Sequence, residues 1–229
     1  LQVYAGMIAS LDRSVGKIIE KLKDLNIYGK TMIIFTSDNG GANYIELEDI
    51  NKPFRGWKIS FFEGGIRVPF IVSWPDKISP GLTSNSAVHH FDIFPTIVSA
   101  TKTTTSNKKE LDGVNLLPYI KKENSDEPHE TLFWRSGNHQ SVLHKKWKYI
   151  VSKKENKSWL FDTSVDPLEK NNLIESHPKE AQKIEELLVQ FNSEQKEPLF
   201  PSAFEAPIMI DKYDGQAYEE GDEYIYWSN

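Results

Sequence analysis

Residues 31–41 read Thr-Met-Ile-Ile-Phe-Thr-Ser-Asp-Asn-Gly-Gly, an apolar run that ends abruptly in polar residues and glycine. The residues from Thr31 to Phe35 are nearly all β-branched or aromatic and carry no charge, which predicts a strand buried on both faces. Asp38 and Asn39 follow it, and their side-chain oxygens are the hard ligands that Ca²⁺ or Mg²⁺ prefers. Because ligands of open α/β sheets bind beyond the carboxyl ends of the strands, the junction is a candidate ion site. The alternative is an Asx-type turn that closes the strand.

A long amphipathic helix is predicted before this strand, over residues 2–26. Its apolar residues recur at steps of three and four: Val3, Met7, Ile8, Leu11, Val15, Ile18, Ile19, Leu22 and Leu25. After the candidate ion site, a long loop without periodicity is predicted at 42–65 and a second buried strand at 68–74. A short buried helix is predicted over 91–100. Helices that alternate with buried strands indicate an α/β fold with a parallel or mixed sheet.

The second half of the chain has an antiparallel pattern. A polar run at 101–110 predicts a surface linker. Four short strands joined by tight polar turns follow, at 132–134, 141–144, 147–151 and 159–161. Pro178 opens a predicted helix at its first position, and the acidic, aromatic residues at the end of the chain are expected to wrap the surface. We therefore expect an α/β part at 1–110, a small antiparallel β-sheet plus helix subdomain at 111–197, and an acidic aromatic tail at 198–229.

The composition of the chain excludes several classes of function. Lys and Arg number 27 against 33 Asp and Glu in 229 residues, so the net charge is −6, which argues against a nucleic-acid partner. The absence of cysteine excludes disulfides, cysteine-based metal sites and an unmodified cysteine nucleophile within these residues. No run of about 18 apolar residues occurs, so no membrane span is predicted.

A second candidate site lies in the segment 55–69, Arg-Gly-Trp-Lys-Ile-Ser-Phe-Phe-Glu-Gly-Gly-Ile-Arg-Val-Pro. Lys58 on this glycine-punctuated loop could reach an anionic group as a mobile point charge. Arg67 stands beside a predicted strand and is expected to pair with a structural carboxylate such as Glu63. The segment therefore offers one cation for binding and one for structure.

These segments together resemble the type I sulfatases, which belong to the alkaline phosphatase superfamily. The motifs that carry the resemblance are Asp38-Asn-Gly-Gly after an apolar strand, Arg55-Gly-x-Lys58, Glu63-Gly-Gly-x-Arg67-Val-Pro69, Asp92-x-x-Pro-Thr96 and Asp166-Pro-x-Glu-x-x-Asn172. They occur in the family's order between residues 3 and 190. Their number and order make the resemblance specific.

The resemblance implies roles for individual residues. In these enzymes a Ca²⁺ is held by three aspartates and one asparagine, and Asp38 and Asn39 match the second pair. Lys58 matches the family lysine that contacts the sulfate, so it is the candidate for catalysis and for substrate binding. The nucleophile is a formylglycine made from the Cys or Ser of a Cys/Ser-x-Pro-x-Arg motif. The leaving-group pocket is expected around Arg135 and His139.

The chain departs from the family pattern at the centre of that site. It contains no cysteine and no Ser-x-Pro-x-Arg, so the formylglycine cannot be assigned to it. The family's first pair of metal aspartates is absent as well. We expect it to be the carboxy-terminal half of a sulfatase that hydrolyses a sulfate ester, inactive without its amino-terminal half. The expected fold is the end of an alkaline-phosphatase-like mixed-sheet domain followed by a small antiparallel α+β subdomain.

The resemblance also favours a sulfated carbohydrate over a small aryl sulfate as substrate, and a periplasmic or secreted location. Two other classes of function stay open. A phosphoryl-transfer member of the same superfamily would keep the Asp-Asn type of metal site and usually adds a second metal with histidine ligands. A non-catalytic fragment or pseudoenzyme would act as a binding module. A nucleophile motif ahead of Leu1 would separate the three.

Overall fold

The computed structural model describes residues 1–104, 110–197, 199–200 and 202–228. They form two compact units. The first unit comprises Leu1–Phe35 with Phe70–Glu130, and the second comprises Thr36–Pro69 with Thr131–Asn229. Half of the predicted linker, residues 105–109, lies outside the described residues. The division at 110 and 197 stays a prediction.

The helices and strands follow the predicted order. The α-helices are α1 (Gln2–Asp24), α2 (Glu63–Ile66), α3 (Ile93–Thr101), α4 (Leu117–Ile120) and α5 (Pro178–Glu194). The strands are β1 (Ile33–Thr36), β2 (Phe70–Ser73), β3 (Thr131–Ser136), β4 (His139–His144), β5 (Trp147–Ser152), β6 (Lys157–Asp162), β7 (Glu205–Met209) and β8 (Tyr224–Ser228). Short 3₁₀ turns occur at Tyr28–Lys30, Asn43–Ile45 and His90–Asp92. No helix among the described residues is long and apolar enough to cross a membrane.

The first unit confirms the predicted helices and strands but not their predicted burial. No residue of α1 is buried, and the side chains of Met7 and Ile18 on its apolar face are 65% and 60% exposed. β1 and β2 form a two-stranded sheet. β1 is only half-buried and Phe35 is exposed. The prediction of a strand covered on both faces is therefore wrong for the described chain, because too few elements pack around this sheet.

The second unit contains the predicted antiparallel meander in the order β3-β4-β5-β6. The strands are longer than predicted, and each hairpin is joined by a tight turn. α5 begins at Pro178, as predicted, and packs against one face of the sheet. The cluster on that face consists of Val142, Tyr149, Leu160, Ala181, Ile184 and Leu188.

The opposite face of the same sheet carries a second cluster of buried apolar residues. Its members are Phe62, Ile150, Trp159, Phe161, Ile210 and Ile225. Because side chains alternate along a strand, neighbours such as Tyr149 and Ile150 serve different clusters. Phe62 comes from the glycine-rich segment ahead of α2. The loop that carries Lys58 is therefore anchored in this core.

β7 and β8 form an antiparallel hairpin in which Ile208 pairs with Ile225. Ile210 and Ile225 are almost completely buried. The expectation that the end of the chain wraps the surface is wrong for this hairpin, because these two isoleucines complete the core against Phe62 and Trp159.

Candidate functional site

Asp38 and Asn39 follow β1 in a loop that leaves side-chain oxygens available. The Asn39 backbone N–H donates to Asp38 Oδ1 at 3.0 Å, and the Asn39 side-chain amide donates to the Gly40 carbonyl at 2.9 Å. Within the described residues no hydrogen bond involves Asp38 Oδ2 or Asn39 Oδ1. The loop is thus a turn and also presents two oxygens of different residues that no described group satisfies.

The type of these oxygens fits a calcium ion, whereas their number does not complete its shell. Ca²⁺ takes about six to eight oxygen ligands, mainly carboxylate and carbonyl. Among residues 1–104, 110–197, 199–200 and 202–228, no three acidic, histidine or cysteine side chains gather in a way that could hold a metal. Asp38 and Asn39 can therefore supply part of a cation site but not all of it.

Backbone packing joins the Asp38–Gly41 loop to the glycine-rich segment. The Gly40 N–H donates to the Gly65 carbonyl at 2.9 Å. A Cβ atom at Gly40 would lie 1.7 Å from the Gly64 carbonyl oxygen. Only glycine permits this approach, which explains why the strand end is followed by glycine here.

Lys58 is tied to the same loop through its backbone. Its N–H donates to the Gly41 carbonyl at 2.9 Å. The Asn51 side chain reinforces this junction, because its amide donates to the carbonyls of Gly41 and Gly56 and its oxygen accepts from the Gly41 N–H. The Lys58 side chain is half-buried, and within the described part of the chain its ammonium has no hydrogen bond or ion pair.

The two arginines of the segment differ from Lys58. Arg55 donates to Asp211 and Glu223. Arg67 pairs with Glu63 at 3.2 Å, which confirms the structural role predicted for it. Lys58 is thus the cation of this segment whose charge no described carboxylate neutralises, and it can attract an anion.

A buried ion network supports α2, and the sequence did not reveal it. Lys148 on β5 is fully buried, and its ammonium lies 2.7 Å from Glu63 Oε1 and 2.8 Å from Glu169 Oε1. The second oxygen of Glu169 accepts from the Glu63 N–H at 2.6 Å. Burial acts to lower the pKa of Lys148, but Glu169 and Glu63 outweigh it and raise that pKa, so the lysine is charged.

The pKa values of the two acids in this network shift in opposite directions. Burial raises the pKa of Glu169, and the attraction of Lys148 does not fully offset it. Burial also acts to raise the pKa of Glu63, but Lys148 and then Arg67 outweigh it, so that pKa is lowered. Glu63, which opens the Glu-Gly-Gly turn, is therefore an ionised anchor of the loop.

His139 lies inside the second unit and is 1% exposed. Its Nε2 accepts from the Phe61 N–H at 3.0 Å, and its ring stacks on Phe61 with centroids 4.7 Å apart. Burial lowers the pKa of His139 to about 3, and the nearby Lys148 charge acts in the same direction. The ring is neutral at neutral pH and supports the loop that follows Lys58.

Arg135 lies on the other face of the sheet from His139. It pairs in register with Gln140, whose side chain accepts from Asn192 of α5. Arg135 also contacts this helix end, donating to Asn192 at 3.4 Å and to the Lys196 carbonyl at 2.8 Å. The structure therefore joins Asp38, Asn39, Lys58 and His139 through contacts of their loops, and it does not bring Arg135 to that side. Direct contact of Arg135 or His139 with substrate stays a prediction.

Comparison with protein families identifies the family to which the chain belongs. A family model described as "Sulfatase" matches residues 1–103, and one described as "N-sulphoglucosamine sulphohydrolase, C-terminal" matches residues 56–197. The chain belongs to the type I sulfatases. The two matches overlap across the segment that carries Lys58. The mixed α/β fold with antiparallel sheets is that of solved sulfatase structures, which confirms the predicted fold class.

Individual sulfatases are similar over parts of the chain. Human N-acetylgalactosamine-6-sulfatase is 37% identical over 51% of this chain and 23% of its own length. Human steryl-sulfatase is 29% identical over 76% of this chain and 31% of its own length. The solved structure of Ps i-CgsB in complex with k-i-k-neocarrahexaose has a TM-score of 0.76 at 28% identity, covering 86% of this chain and 44% of that one. The chain thus spans less than a third of the length of these two curated relatives.

Proposed function

We propose that this chain is the carboxy-terminal part of a formylglycine-dependent sulfatase that hydrolyses a sulfate ester, and that Lys58 binds the sulfate. The observation that carries the proposal is the ammonium of Lys58, which has no hydrogen bond or ion pair among the described residues, on a backbone bonded to Gly41 beside Asp38 and Asn39. A cation on a fixed backbone next to a candidate cation site matches an anionic substrate. The formylglycine that the family resemblance implies would come from residues outside this chain.

Lys58 can assist the reaction by electrostatics. Hydrolysis of a sulfate ester builds negative charge on the departing oxygen and keeps it on the sulfate oxygens. A half-buried ammonium stabilises such charge more strongly than an ammonium in water does, because less water competes with it. Because the backbone of Lys58 is fixed at Gly41, only its side chain would have to become ordered when substrate binds.

We also propose that Asp38 and Asn39 help to hold a Ca²⁺ together with ligands outside the chain. Asp38 Oδ2 and Asn39 Oδ1, which no described group satisfies, support this assignment. When bound, the ion would supply further positive charge to the sulfate and the attacking oxygen. The chain's own contribution is two ligands and a loop held rigid by the glycine contacts to α2.

The proposed substrate class is a sulfated carbohydrate. Support comes from the relative named for N-acetylgalactosamine 6-sulfate and from the solved structure that holds a neocarrahexaose. Steryl-sulfatase is a similar protein whose name points to another substrate class. For His139 the proposal is substrate contact after movement of the buried ring, and for Arg135 it is contact away from Lys58, on the face of the sheet that packs against α5.

We further propose that an amino-terminal portion of the same protein covers the apolar face of α1. Exposed apolar side chains on this helix support the proposal, since a soluble protein rarely leaves so many of them together in water. This portion would also carry the nucleophile and the remaining calcium ligands. Residues 1–229 on their own are then expected to be inactive.

The test replaces Lys58 by alanine in the full-length protein and measures release of sulfate from a sulfated saccharide. We expect kcat/KM to fall by about 100-fold or more, with little change in the melting temperature because the Lys58 ammonium has no partner among the described residues. Lys52→Ala is the matched control, since Lys52 lies on the same loop but pairs with Glu48 and Asp49 at the surface. Wild-type turnover in Lys58→Ala would overturn the role of Lys58. Faster hydrolysis of the corresponding phosphate ester would instead favour the phosphoryl-transfer alternative.

A further inference from the structure

The hairpin β7–β8 lies beyond the residues that either family model matches, which end at 103 and 197. It is nevertheless built into the core beside the candidate site. Ile210 and Ile225 pack on Phe62, four residues after Lys58. A segment so placed can influence the site.

Arg55 connects this hairpin to the site by a closely matched set of contacts. Its Nε and one terminal nitrogen donate to the two oxygens of Asp211 at 2.7 and 2.6 Å. The same terminal nitrogen donates to Glu223 at 2.5 Å, and the other oxygen of Glu223 accepts from the Trp159 indole N–H at 2.8 Å. We call Arg55, Asp211 and Glu223 the Arg55 clamp.

The geometry of the clamp fixes Arg55 rather than leaving it for a ligand. The guanidinium lies 4.9 Å from the ring centroid of Phe62, which is fully buried. The Arg55 side chain is only 16% exposed. A planar fork held by two oxygens of one carboxylate and flanked by an aromatic ring has little freedom to turn.

Backbone contacts pass this constraint to Lys58. The Arg55 carbonyl accepts from the Gly64 N–H at 2.7 Å. Gly64 precedes Gly65, whose carbonyl accepts from the Gly40 N–H in the loop of Asp38 and Asn39. Lys58 is three residues after Arg55, and its own N–H is bonded to Gly41. A shift of Arg55 would therefore move both the lysine and the loop of Asp38 and Asn39.

A second contact connects the hairpin to the loop that follows Gly41. The Asn43 side chain, which is 2% exposed, donates to Asp214 Oδ1 at 2.6 Å. The Asp214 N–H returns a bond to the Asn43 carbonyl at 3.3 Å. The connection between β7 and β8 thus also holds the loop that follows Gly41.

We propose that Arg55 is a positioning residue of the sulfatase site, through which Asp211 and Glu223 of the carboxy-terminal hairpin set the placement of Lys58. This inference rests on the proposed role of Lys58. It assigns to a segment outside the matched family regions a part in turnover. Arg55 itself does not touch the sulfate.

The experiment compares Arg55→Lys, Asp211→Asn and their double variant in the full-length protein. Lysine keeps the charge of Arg55 but cannot hold both oxygens of Asp211, so we expect kcat to fall about 10- to 100-fold through misplacement of the site. KM is expected to change much less. The double variant should be no slower than the slower single variant, because both changes open the same contact.

Lys212→Met is the matched control. Lys212 follows Asp211 in the chain and pairs with two acids, Glu219 and Asp222, but these contacts stay within the connection between β7 and β8. We expect it to lower the melting temperature about as much as Asp211→Asn does and to leave kcat unchanged. Equal losses of kcat in the control and in Asp211→Asn would reduce the clamp to a purely structural role.

Three further outcomes separate this inference from the proposed function. If Arg55→Lys and Asp211→Asn both turn over at the wild-type rate while Lys58→Ala is inactive, the clamp fails and the role of Lys58 stands. If Lys58→Ala is fully active, the proposed function fails, whatever the clamp does. If Arg55→Lys does not fold, Asp211→Asn and Glu223→Gln, which change the more exposed partners, decide the matter by the same comparison of kcat.

Discussion

The two compact units differ in how far each buries the apolar face of its long amphipathic helix. α5 in the second unit buries Ala181, Ile184 and Leu188 against a four-stranded sheet. α1 in the first unit has an equally regular apolar face, but none of its residues is buried. Since most of the stability of a helix in a protein comes from packing of its apolar face, the pattern alone predicts a helix and not its partner. The second unit contains the sheet on which α5 packs, whereas the described residues leave the apolar face of α1 exposed.

The largest effect is expected from breaking the ion network that the second unit encloses. Lys148→Met leaves Glu169 buried without a cation and Glu63 with Arg67 alone, which should cost about 3–5 kcal/mol of unfolding free energy. The measurement is urea denaturation of the full-length protein, followed by the fluorescence of tryptophans such as Trp159.

A matched control is available at the edge of the same sheet. Lys146 pairs with Asp162 at 2.6 Å, but its side chain is half exposed. Lys146→Met should cost about 1 kcal/mol or less. Similar losses in Lys146→Met and Lys148→Met would show that burial of the Lys148 network contributes nothing special to this unit.

A somewhat smaller effect should follow from deleting apolar groups, and it tests the comparison directly. Ile225→Ala empties part of a fully buried cluster and should cost about 2–5 kcal/mol. Ile18→Ala on α1 removes a side chain that the described residues leave exposed. If an amino-terminal portion covers α1, as proposed, Ile18→Ala in the full-length protein should also cost more than 1 kcal/mol, on the order expected for a partly covered site. A loss near zero would refute that cover.

Sequence periodicity predicted the elements well because periodicity is a local property. The steps of three and four gave α1 and α5, and alternation between tight turns gave the meander β3–β6. Their ends moved by only a few residues. The turn after β1 also agrees with the structure, whereas the roles of Asp38, Asn39 and Lys58 stay predictions.

Contacts between distant segments were not predictable in the same way. Lys148 stands in a strand where a charged residue suggests a solvent-facing position, and only Glu63 and Glu169 folding over it make burial possible. Arg135 and His139 were expected in one pocket, although strict alternation across the β3–β4 register places them on opposite faces. That signal was present in the sequence, since the register follows from the two-residue turn between the strands.

The smallest predicted effect concerns His139, the buried titratable group beside the loop of Lys58. Its pKa is about 3 in the folded protein and about 6.5 in the unfolded chain. Between these values the unfolded state binds the proton and the folded state does not, so acid favours unfolding. The stability that His139 contributes is thus complete above pH 6.5 and is lost as the pH falls toward 3.

His139→Gln tests this expectation because the glutamine side chain keeps an acceptor for the Phe61 N–H and does not titrate. The wild type should lose on the order of 1–2 kcal/mol more unfolding free energy than His139→Gln between pH 7.5 and pH 5, measured by urea denaturation at each pH. The lowered pKa of Glu63 acts in both proteins alike and cancels in the difference. Parallel pH curves for the two proteins would mean that His139 takes up its proton in the folded state, and the ring would then be open to solvent and to an anionic substrate, as the sequence prediction of a substrate contact requires.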